Sequence, residues 1–265
     1  KKDLQKKYLL KDGNENHNRA DYAGMIQSVD ENIGKIINEI EKLGLSENTL
    51  FIFTSDNGGI RAISSQSPLR AGKGSYYEGG IKVPLIFSWR GKIKEGSKSY
   101  ERVSNIDFFP TIQKIVGYKN NDLKLDGVDL NPIFEGRNIE KRALFYHFPI
   151  YLQAYNVQED NGTDPLFRTR PGSVIIKDNW KLHHYFENNK KELYDIENDI
   201  SESYDLSKVN VQKTKELFNS LNLWRETNNA PIPFEKNIKY DQKFVDSINL
   251  LIIDGKLSGR INTNW

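Results

Sequence analysis

The sequence contains no cysteine among its 265 residues. This absence excludes disulfide bonds, thiolate metal sites and cysteine nucleophiles from the chain. No run of apolar residues approaches the roughly 20 that a membrane-spanning helix needs, so no membrane partner is expected. An excess of charge of one sign is also lacking, because 38 Lys and Arg residues are balanced by 36 Asp and Glu residues. The net charge of +2 is too small to indicate nucleic acid as a partner.

The composition is instead that of a packed globular protein. Hydrophobic residues make up 37% of the chain and aromatic residues 11%. This apolar content is sufficient to build a core, and the length allows one large domain or two small ones.

The amino-terminal stretch is polar up to His17, and we interpret it as a loop. From residue 22 to residue 43 apolar residues recur every three or four positions, which places them on one face of an amphipathic helix. Asn18 is the predicted N-cap, and Gly44 is the predicted left-handed residue at the carboxyl end. The apolar positions are Tyr22, Met25, Val29, Ile33, Ile36, Ile40 and Leu43.

A short apolar run, residues 50–54, follows the helix and is predicted to be a buried parallel strand. A helix, a short turn and a buried strand in this order indicate an α/β sheet. The strand ends at residues 55–59, whose sequence is Ser-Asp-Asn-Gly-Gly. Ligands of open α/β sheets bind beyond the carboxyl ends of the strands, so this segment is the first candidate for chemistry.

Asp56 and Asn57 present a carboxylate and an amide carbonyl side by side at this strand end. Both groups are hard oxygen ligands, which suit Ca²⁺ or Mg²⁺ rather than zinc. An ordinary Asx turn is the alternative interpretation, because Asp, Asn and Gly are all favoured in turns. The pentapeptide by itself favours the turn.

Lys73 lies in a glycine-rich loop, between Gly72 and Gly74. A lysine with small neighbours and exposed backbone amides suits an anion such as sulfate or phosphate. The alternative is a solvated surface lysine, which is the commoner case for any single lysine. The loop is not a P-loop, because the required GxxxxGK spacing is absent.

The histidines allow two interpretations. His147 lies among aromatic residues, where it is predicted either to line a substrate pocket or to be packed in the interior. His183 and His184 are adjacent in a strand-like run, so they point to opposite faces and are interpreted as structural.

The character of the sequence changes near residue 144. Residues 1–143 are predicted to form the end of an α/β domain that carries the metal and lysine loops. Residues 144–265 are predicted to form an antiparallel subdomain and a tail, because short strand-like segments alternate there with polar turns. A helix over residues 211–227 places Leu217, Leu221 and Trp224 on one side. The tail from Asn228 is expected to be extended.

The order of these segments resembles the carboxy-terminal portion of the sulfatase family, within the alkaline phosphatase-like superfamily. Residues 22–34 resemble the family's helix before its second metal motif, and residues 55–59 resemble its metal-binding strand end. Residues 69–84 are similar to its lysine loop. Several motifs in a fixed order make the resemblance specific. It continues through residues 107–111, 126–128 and 192–199.

The resemblance implies a fold, an activity and a set of site residues. The fold is the carboxy-terminal part of an alkaline phosphatase-like α/β sandwich, followed by a small antiparallel sheet subdomain packed with a helix. The activity is hydrolysis of sulfuric esters, with a sulfated carbohydrate or an aryl sulfate as substrate. Asp56 and Asn57 are the implied ligands of one Ca²⁺ ion. Lys73 is the implied catalytic and sulfate-binding residue, and His147 is an implied substrate contact.

The family's nucleophile is a formylglycine, made from a Cys or Ser in a motif of the form C/S-x-P-S/A-R. Residues 65–70 resemble that motif, but they follow the Asp-Asn pair instead of preceding it, and Leu69 replaces the small residue before Arg70. We therefore expect the chain to be a fragment, with formylglycine and further metal ligands in a missing amino-terminal part. Calcium prefers six to eight ligands, so weak metal binding and no turnover are expected of this chain alone.

The same reasoning gives expectations about partners and location. The exposed sheet edge is expected to associate with the missing amino-terminal part or with itself. The resemblance implies a periplasmic or secreted location, or a lysosomal one in a eukaryote. Two alternatives remain open. One is a phosphonate or phosphodiester hydrolase of the same superfamily, and the other is a non-catalytic binding domain derived from it.

Overall fold

A computed structural model describes residues 1–13, 17–118, 123–154 and 167–233. These residues belong almost entirely to one unit, Lys1–Ala230. A second unit, Pro231–Trp265, has only its first three residues described. Most of the predicted extended tail therefore lies outside the described residues.

The described residues contain six helices and eight strands. The helices are α1 (Lys2–Leu9), α2 (Ala20–Lys42), α3 (Glu78–Ile81), α4 (Phe108–Ile115), α5 (Asn131–Phe134) and α6 (Val211–Thr227). The strands are β1 (Phe51–Thr54), β2 (Leu85–Ser88), β3 (Leu144–Phe148), β4 (Leu152–Gln153), β5 (Phe167–Thr169), β6 (Gly172–Lys177), β7 (Trp180–Tyr185) and β8 (Lys190–Asp195).

The polar start of the chain is helical, which corrects its interpretation as a loop. Most residues of α1 have high helix propensity, and Leu4 is buried where α1 packs against α2. The two helices can approach closely at Gly24, where an added Cβ would lie 3.3 Å from the Cβ of Leu4. One buried leucine in eight residues is too weak a period for the sequence to reveal.

The predicted second helix and its carboxyl end are confirmed in α2. Gly44 has a φ of 68°, and the amide of Leu45 donates to the carbonyl of Ile40 at 3.0 Å, as in a Schellman motif. The amino end differs from the prediction, because the N-cap is Arg19 and no side chain caps the helix. Arg19 instead pairs with Asp21 through two hydrogen bonds, of 3.1 and 2.7 Å.

The apolar face of α2 is largely exposed in the described structure. Met25, Val29, Ile36 and Leu43 are 63%, 54%, 57% and 62% exposed. Their spacing predicts burial, so these residues lack the packing partner that an amphipathic helix normally has. Exposed apolar residues that share one helix face are typical of interaction surfaces.

The strand before the Asp-Asn pair is β1, which pairs antiparallel with β2 in a two-stranded sheet. The sequence predicted a parallel strand buried on both faces, but the described residues provide it with no parallel neighbour. Phe53 is exposed and the strand is only partly buried. β1 has apolar residues at successive positions, which is the pattern that burial on both faces requires. In the described structure, however, the strand remains partly exposed.

The predicted antiparallel meander is confirmed in a four-stranded sheet of order β3-β6-β7-β8. β3 begins at residue 144, the position at which the change in sequence character predicted a domain boundary. The division into two domains stays a prediction. α6 covers one face of the sheet, where Leu217 and Leu221 pack on apolar residues of β6, β7 and β8. The other face is covered by the glycine-rich segment around Lys73 (residues 69–80), whose Tyr76 and Tyr77 pack on that side.

Coverage on both faces explains an unusual feature of the central strands. Residues of β6 are buried at five successive positions, although an antiparallel sheet often has one solvated face. In β7 the side chains alternate, so that Lys181 and His183 point towards the lysine loop while Leu182 and His184 point towards α6. None of the helices in the described part of the chain is long and apolar enough to cross a membrane.

Candidate functional site

The Asp-Asn pair lies in a loop that begins where β1 ends. The hydroxyl of Ser55 donates to the carbonyl of Asn57 at 2.8 Å, and the amide of Gly58 donates to the carbonyl of Gly80 at 2.9 Å. The carboxylate of Asp56 is exposed, and within the described ranges it accepts no backbone hydrogen bond of the kind that defines an Asx turn. Its oxygens are therefore accessible to a cation.

The Asp-Asn loop packs directly on the glycines around Lys73, which we call the lysine loop (residues 69–80). A Cβ on Gly58 would lie 1.7 Å from the carbonyl oxygen of Gly79, and a Cβ on Gly72 would lie 2.4 Å from that of Gly59. Contacts this short allow no side chain. Glycine is required at both positions for the two loops to meet.

Lys73 is placed at this contact by its own backbone. Its amide donates to the carbonyl of Gly59 at 2.9 Å, two residues beyond Asn57. The next residue, Gly74, has a φ of 84°, a left-handed conformation that glycine adopts without strain. The structure thus brings together the two segments that the sequence selected independently.

The lysine side chain is exposed while most of its loop is buried. In the described part of the chain no carboxylate pairs with its ammonium group. The charge is therefore available to an external anion. A compact ammonium group without a carboxylate partner suits the oxygens of a sulfate or phosphate group.

Two oxygen ligands do not complete a calcium site. No group of three or more His, Asp or Glu side chains among the described residues is placed to hold a metal ion. Asp56 and Asn57 fit a hard cation in chemical type, and they could supply two of the six to eight oxygens that Ca²⁺ prefers. The assignment of Asp56 and Asn57 as calcium ligands stays a prediction.

His147 lies elsewhere. Its Nδ1 is 2.8 Å from the hydroxyl of Ser173, and its ring packs near Phe186 and Trp224, on the face of the sheet that α6 covers. Tyr146 and Phe148, its neighbours in β3, point to the lysine-loop face. The described structure does not bring His147 to the Asp-Asn pair or to Lys73.

The lysine loop is tied to the sheet beneath it by a set of buried polar contacts. Tyr77 donates to Glu192 at 2.8 Å, and the hydroxyl of Tyr76 donates to the carbonyls of Phe148 and Gly172, both at 2.9 Å. Burial raises the pKa of Tyr76, so its hydroxyl remains a donor. The loop is thus held by directional bonds as well as by apolar packing.

A buried ion-pair cluster lies behind the same loop. Lys181 Nζ is 3.0 Å from Glu78 Oε1 and 2.9 Å from Glu202 Oε1, and Lys181 and Glu202 are fully buried. Burial would raise the pKa of Glu202, but the charge of Lys181 and the hydrogen bond from His183 outweigh it and lower the pKa to about 2. Burial is the largest influence on His183 and lowers the pKa of its imidazole.

Sequence reasoning did not find this cluster. His183 was correctly interpreted as structural, but Lys181, Glu78 and Glu202 were not selected. The alternation of Lys181, His183 and Tyr185 in β7 was the available signal, since period two places the three on one face. It could not reveal that this face is covered.

Comparison with known proteins identifies the type of chain. The protein family described as Sulfatase matches residues 2–118, and the family described as N-sulphoglucosamine sulphohydrolase, C-terminal, matches residues 72–227, more than half of the chain. A protein named Sulfatase from Formosa agariphila is 36% identical over 255 residues, covering 86% of this chain and 44% of that protein.

Solved structures agree with the sequence matches. Ps i-CgsB in complex with k-i-k-neocarrahexaose has a TM-score of 0.68 at 26% identity, over 99% of this chain and 53% of that chain. BT4656, in complex with its substrate D-glucosamine-2-N,6-O-disulfate, has a TM-score of 0.64 at 27% identity, over 82% of this chain and 42% of that one. The chain thus spans about half the length of the relatives it matches.

The mixed α/β architecture and these neighbours define an alkaline phosphatase-like protein. Within that class the chain belongs to the sulfatase family and matches its carboxy-terminal portion. The resemblance drawn from the motifs is thereby confirmed.

Proposed function

We propose that this chain provides the calcium- and sulfate-binding side of the active site of a sulfuric ester hydrolase. The observation that carries the proposal is the hydrogen bond from the Lys73 amide to the carbonyl of Gly59, which joins the lysine loop to the Asp-Asn loop. A pair of cation ligands and an ammonium group without a carboxylate partner meet at one contact. Together they suit an anionic sulfate ester.

Each residue has a role in this proposal. Asp56 and Asn57 would hold a Ca²⁺ ion, which when bound supplies positive charge to the sulfate oxygens. Lys73 would place its ammonium on another sulfate oxygen and stabilise the charge that develops as the ester bond breaks. The formylglycine nucleophile and the remaining metal ligands would come from a segment outside this sequence, so the chain alone would bind metal weakly and would not turn over.

The proposed substrate class is a sulfated carbohydrate, with aryl sulfates as surrogates. Support comes from the sulfated sugar that is the substrate of BT4656, which resembles this chain at 27% identity. His147 remains a predicted substrate contact, although its position on the α6 face does not support that role. We also propose that the enzyme acts outside the cytoplasm, in the periplasm, the medium or a lysosome.

The exposed apolar face of α2 suggests how the two parts of the enzyme would join. Met25, Val29, Ile36 and Leu43 would pack against the part of the fold that this chain does not cover, which is about half the length of the matched relatives. A surface rich in large apolar residues favours such an obligate contact. Without that half, the same surface would promote self-association.

The test is an activity assay on a longer protein in which these residues follow a formylglycine-bearing segment. Lys73→Met is expected to lower kcat for an aryl sulfate by about 10²- to 10³-fold, as for removal of one electrostatic donor. Lys82→Met is the matched control, because Lys82 is an exposed lysine at the end of the same loop region. Asp56→Asn should lower activity in a way that added Ca²⁺ partly restores.

Other outcomes would overturn the proposal. Equal activity of Lys73→Met and Lys82→Met would remove Lys73 from the site. Faster turnover of a phosphonate monoester or phosphodiester than of any sulfate ester would favour the phosphoryl alternative. Binding of sulfated sugars without turnover by the longer protein would favour a non-catalytic domain.

A further inference from the structure

The ion-pair cluster behind the lysine loop is connected to both ends of that loop. At the first end, the guanidinium of Arg70 donates to the carbonyl of Glu202 at 2.8 Å and lies 4.0 Å from the centre of the Tyr77 ring. At the second end, the amide of Glu78 donates to Glu202 Oε2 at 2.6 Å. One residue, Glu202, therefore holds the two ends of the loop through its backbone and its side chain.

The base of the loop is closed by a further hydrogen bond. The amide of Gly79 donates to the carbonyl of Arg70 at 2.9 Å, so that the segment between them forms a closed lobe. Lys73 lies on this lobe, exposed, and its amide reaches the Asp-Asn loop through Gly59. A shift of the base would thus move Lys73 relative to Asp56 and Asn57.

The backbone of Glu202 has a conformation that is unusual for a residue with a side chain. Glu202 has a φ of 50°, a left-handed conformation that is strained for a residue with a side chain. In this conformation Oε1 lies 2.9 Å from Lys181 Nζ, and Oε2 accepts a hydrogen bond from the Glu78 amide. Strain of this kind persists only where the surrounding contacts over-determine it.

A buried ion pair is a weak source of stability. Well-packed apolar residues of similar volume are often as stabilising as buried charges, or more so. Unlike apolar contacts, the bonds from Lys181 and Glu202 fix direction and distance. The cluster therefore gives the loop a directional constraint that apolar residues of the same volume could not supply.

We propose that Glu202 and Lys181 are positioning residues that set the place of Lys73 relative to the Asp-Asn pair, acting through Glu78 and Arg70. This proposal rests on the sulfate-binding role given to Lys73 above. It assigns the four-stranded sheet a part in the chemistry, because Lys181 comes from β7 and Glu202 from the turn after β8.

The test follows the native-state backbone amide signals of Lys73 and Gly59 by NMR in the ¹⁵N-labelled chain. Glu202→Gln keeps the shape and removes the charge; it is expected to shift both signals and to speed hydrogen exchange at the Lys73 amide by about tenfold. Glu216→Gln, an exposed glutamate of α6 that pairs with Lys177, is the control and should change neither. A Glu202→Asp variant should restore the signals in part.

A purely structural role would give a different pattern. If Glu202→Gln lowers the melting temperature but leaves the Lys73 signal and its exchange rate unchanged, the positioning role is refuted. Lys181→Met is expected to shift the same two signals; if it does not fold, Glu202→Gln decides the question. Absence of sulfatase turnover in the longer protein would refute the proposed function while leaving the NMR result to stand separately.

Discussion

Acid is expected to weaken the fold through Glu202. Its Oε1 lies 2.9 Å from Lys181 Nζ and 3.3 Å from His183 Nε2, which donates to it, and the carboxylate is fully buried. Burial opposes its ionisation, but Lys181 and the hydrogen bond from His183 prevail and lower its pKa from 4.5 to about 2. Protonation of Glu202 would leave the Lys181 charge buried with Glu78 as its remaining partner.

The magnitude follows from the difference in pKa between the folded and unfolded states. The fall of the Glu202 pKa from 4.5 to about 2 corresponds to roughly 3 kcal/mol, since a tenfold change in an equilibrium constant is about 1.4 kcal/mol. The folded state has the lower pKa, so the unfolded state takes up the proton more readily. The contribution of ionised Glu202 to the free energy of unfolding is therefore present in full above about pH 4.5 and is lost as the pH falls towards 2.

Urea denaturation at steps between about pH 6 and pH 2.5, followed by tryptophan fluorescence, would measure this contribution. Glu202→Gln should be less stable near neutral pH, and its free energy of unfolding should fall by about 3 kcal/mol less across the acid range than that of the original protein. Glu95→Gln, an exposed substitution, is the control and should keep the original slope. The reasoning fails if Glu202→Gln also keeps that slope.

Two further predictions concern packing. Gly58→Ala should separate the two loops of the site and cost about 1–3 kcal/mol in thermal or chemical unfolding, because its Cβ would lie 1.7 Å from a carbonyl oxygen of the lysine loop. Gly34 lies in a helix interior, where an added Cβ would meet no atom within 4 Å, so Gly34→Ala should instead stabilise the fold by about 0.5–1 kcal/mol. Equal effects of the two substitutions on stability would contradict the close approach at Gly58. Leu221→Ala should cost about 2–5 kcal/mol, because the side chain is fully buried between α6 and the sheet. Leu223→Ala, two positions along on the exposed side, should change stability by no more than about 0.5 kcal/mol, and a comparable loss there would refute the assigned face.

Much of the local structure could be predicted from sequence because its signals are local. α2 with its Gly44 terminus, the meander of β6 to β8 and the span of α6 all follow from short-range periodicity and turn residues. Helix α1 was missed because only Leu4 is buried in it. The N-cap of α2 was misplaced by one residue, since Arg19 pairs with Asp21 and no capping side chain marks the start.

The sequence by itself also selected Asp56, Asn57 and Lys73. Oxygen ligands at a strand end and a lysine between glycines are patterns that can be recognised within a few residues. Only the tertiary structure decided that these segments touch, through Gly58 and Gly59, and that His147 lies on the opposite face of the sheet. It also decided which charges support the site. The hydrogen bond between Glu78 and Glu202 joins residues 124 positions apart, and contacts that distant leave no periodic pattern in a single sequence.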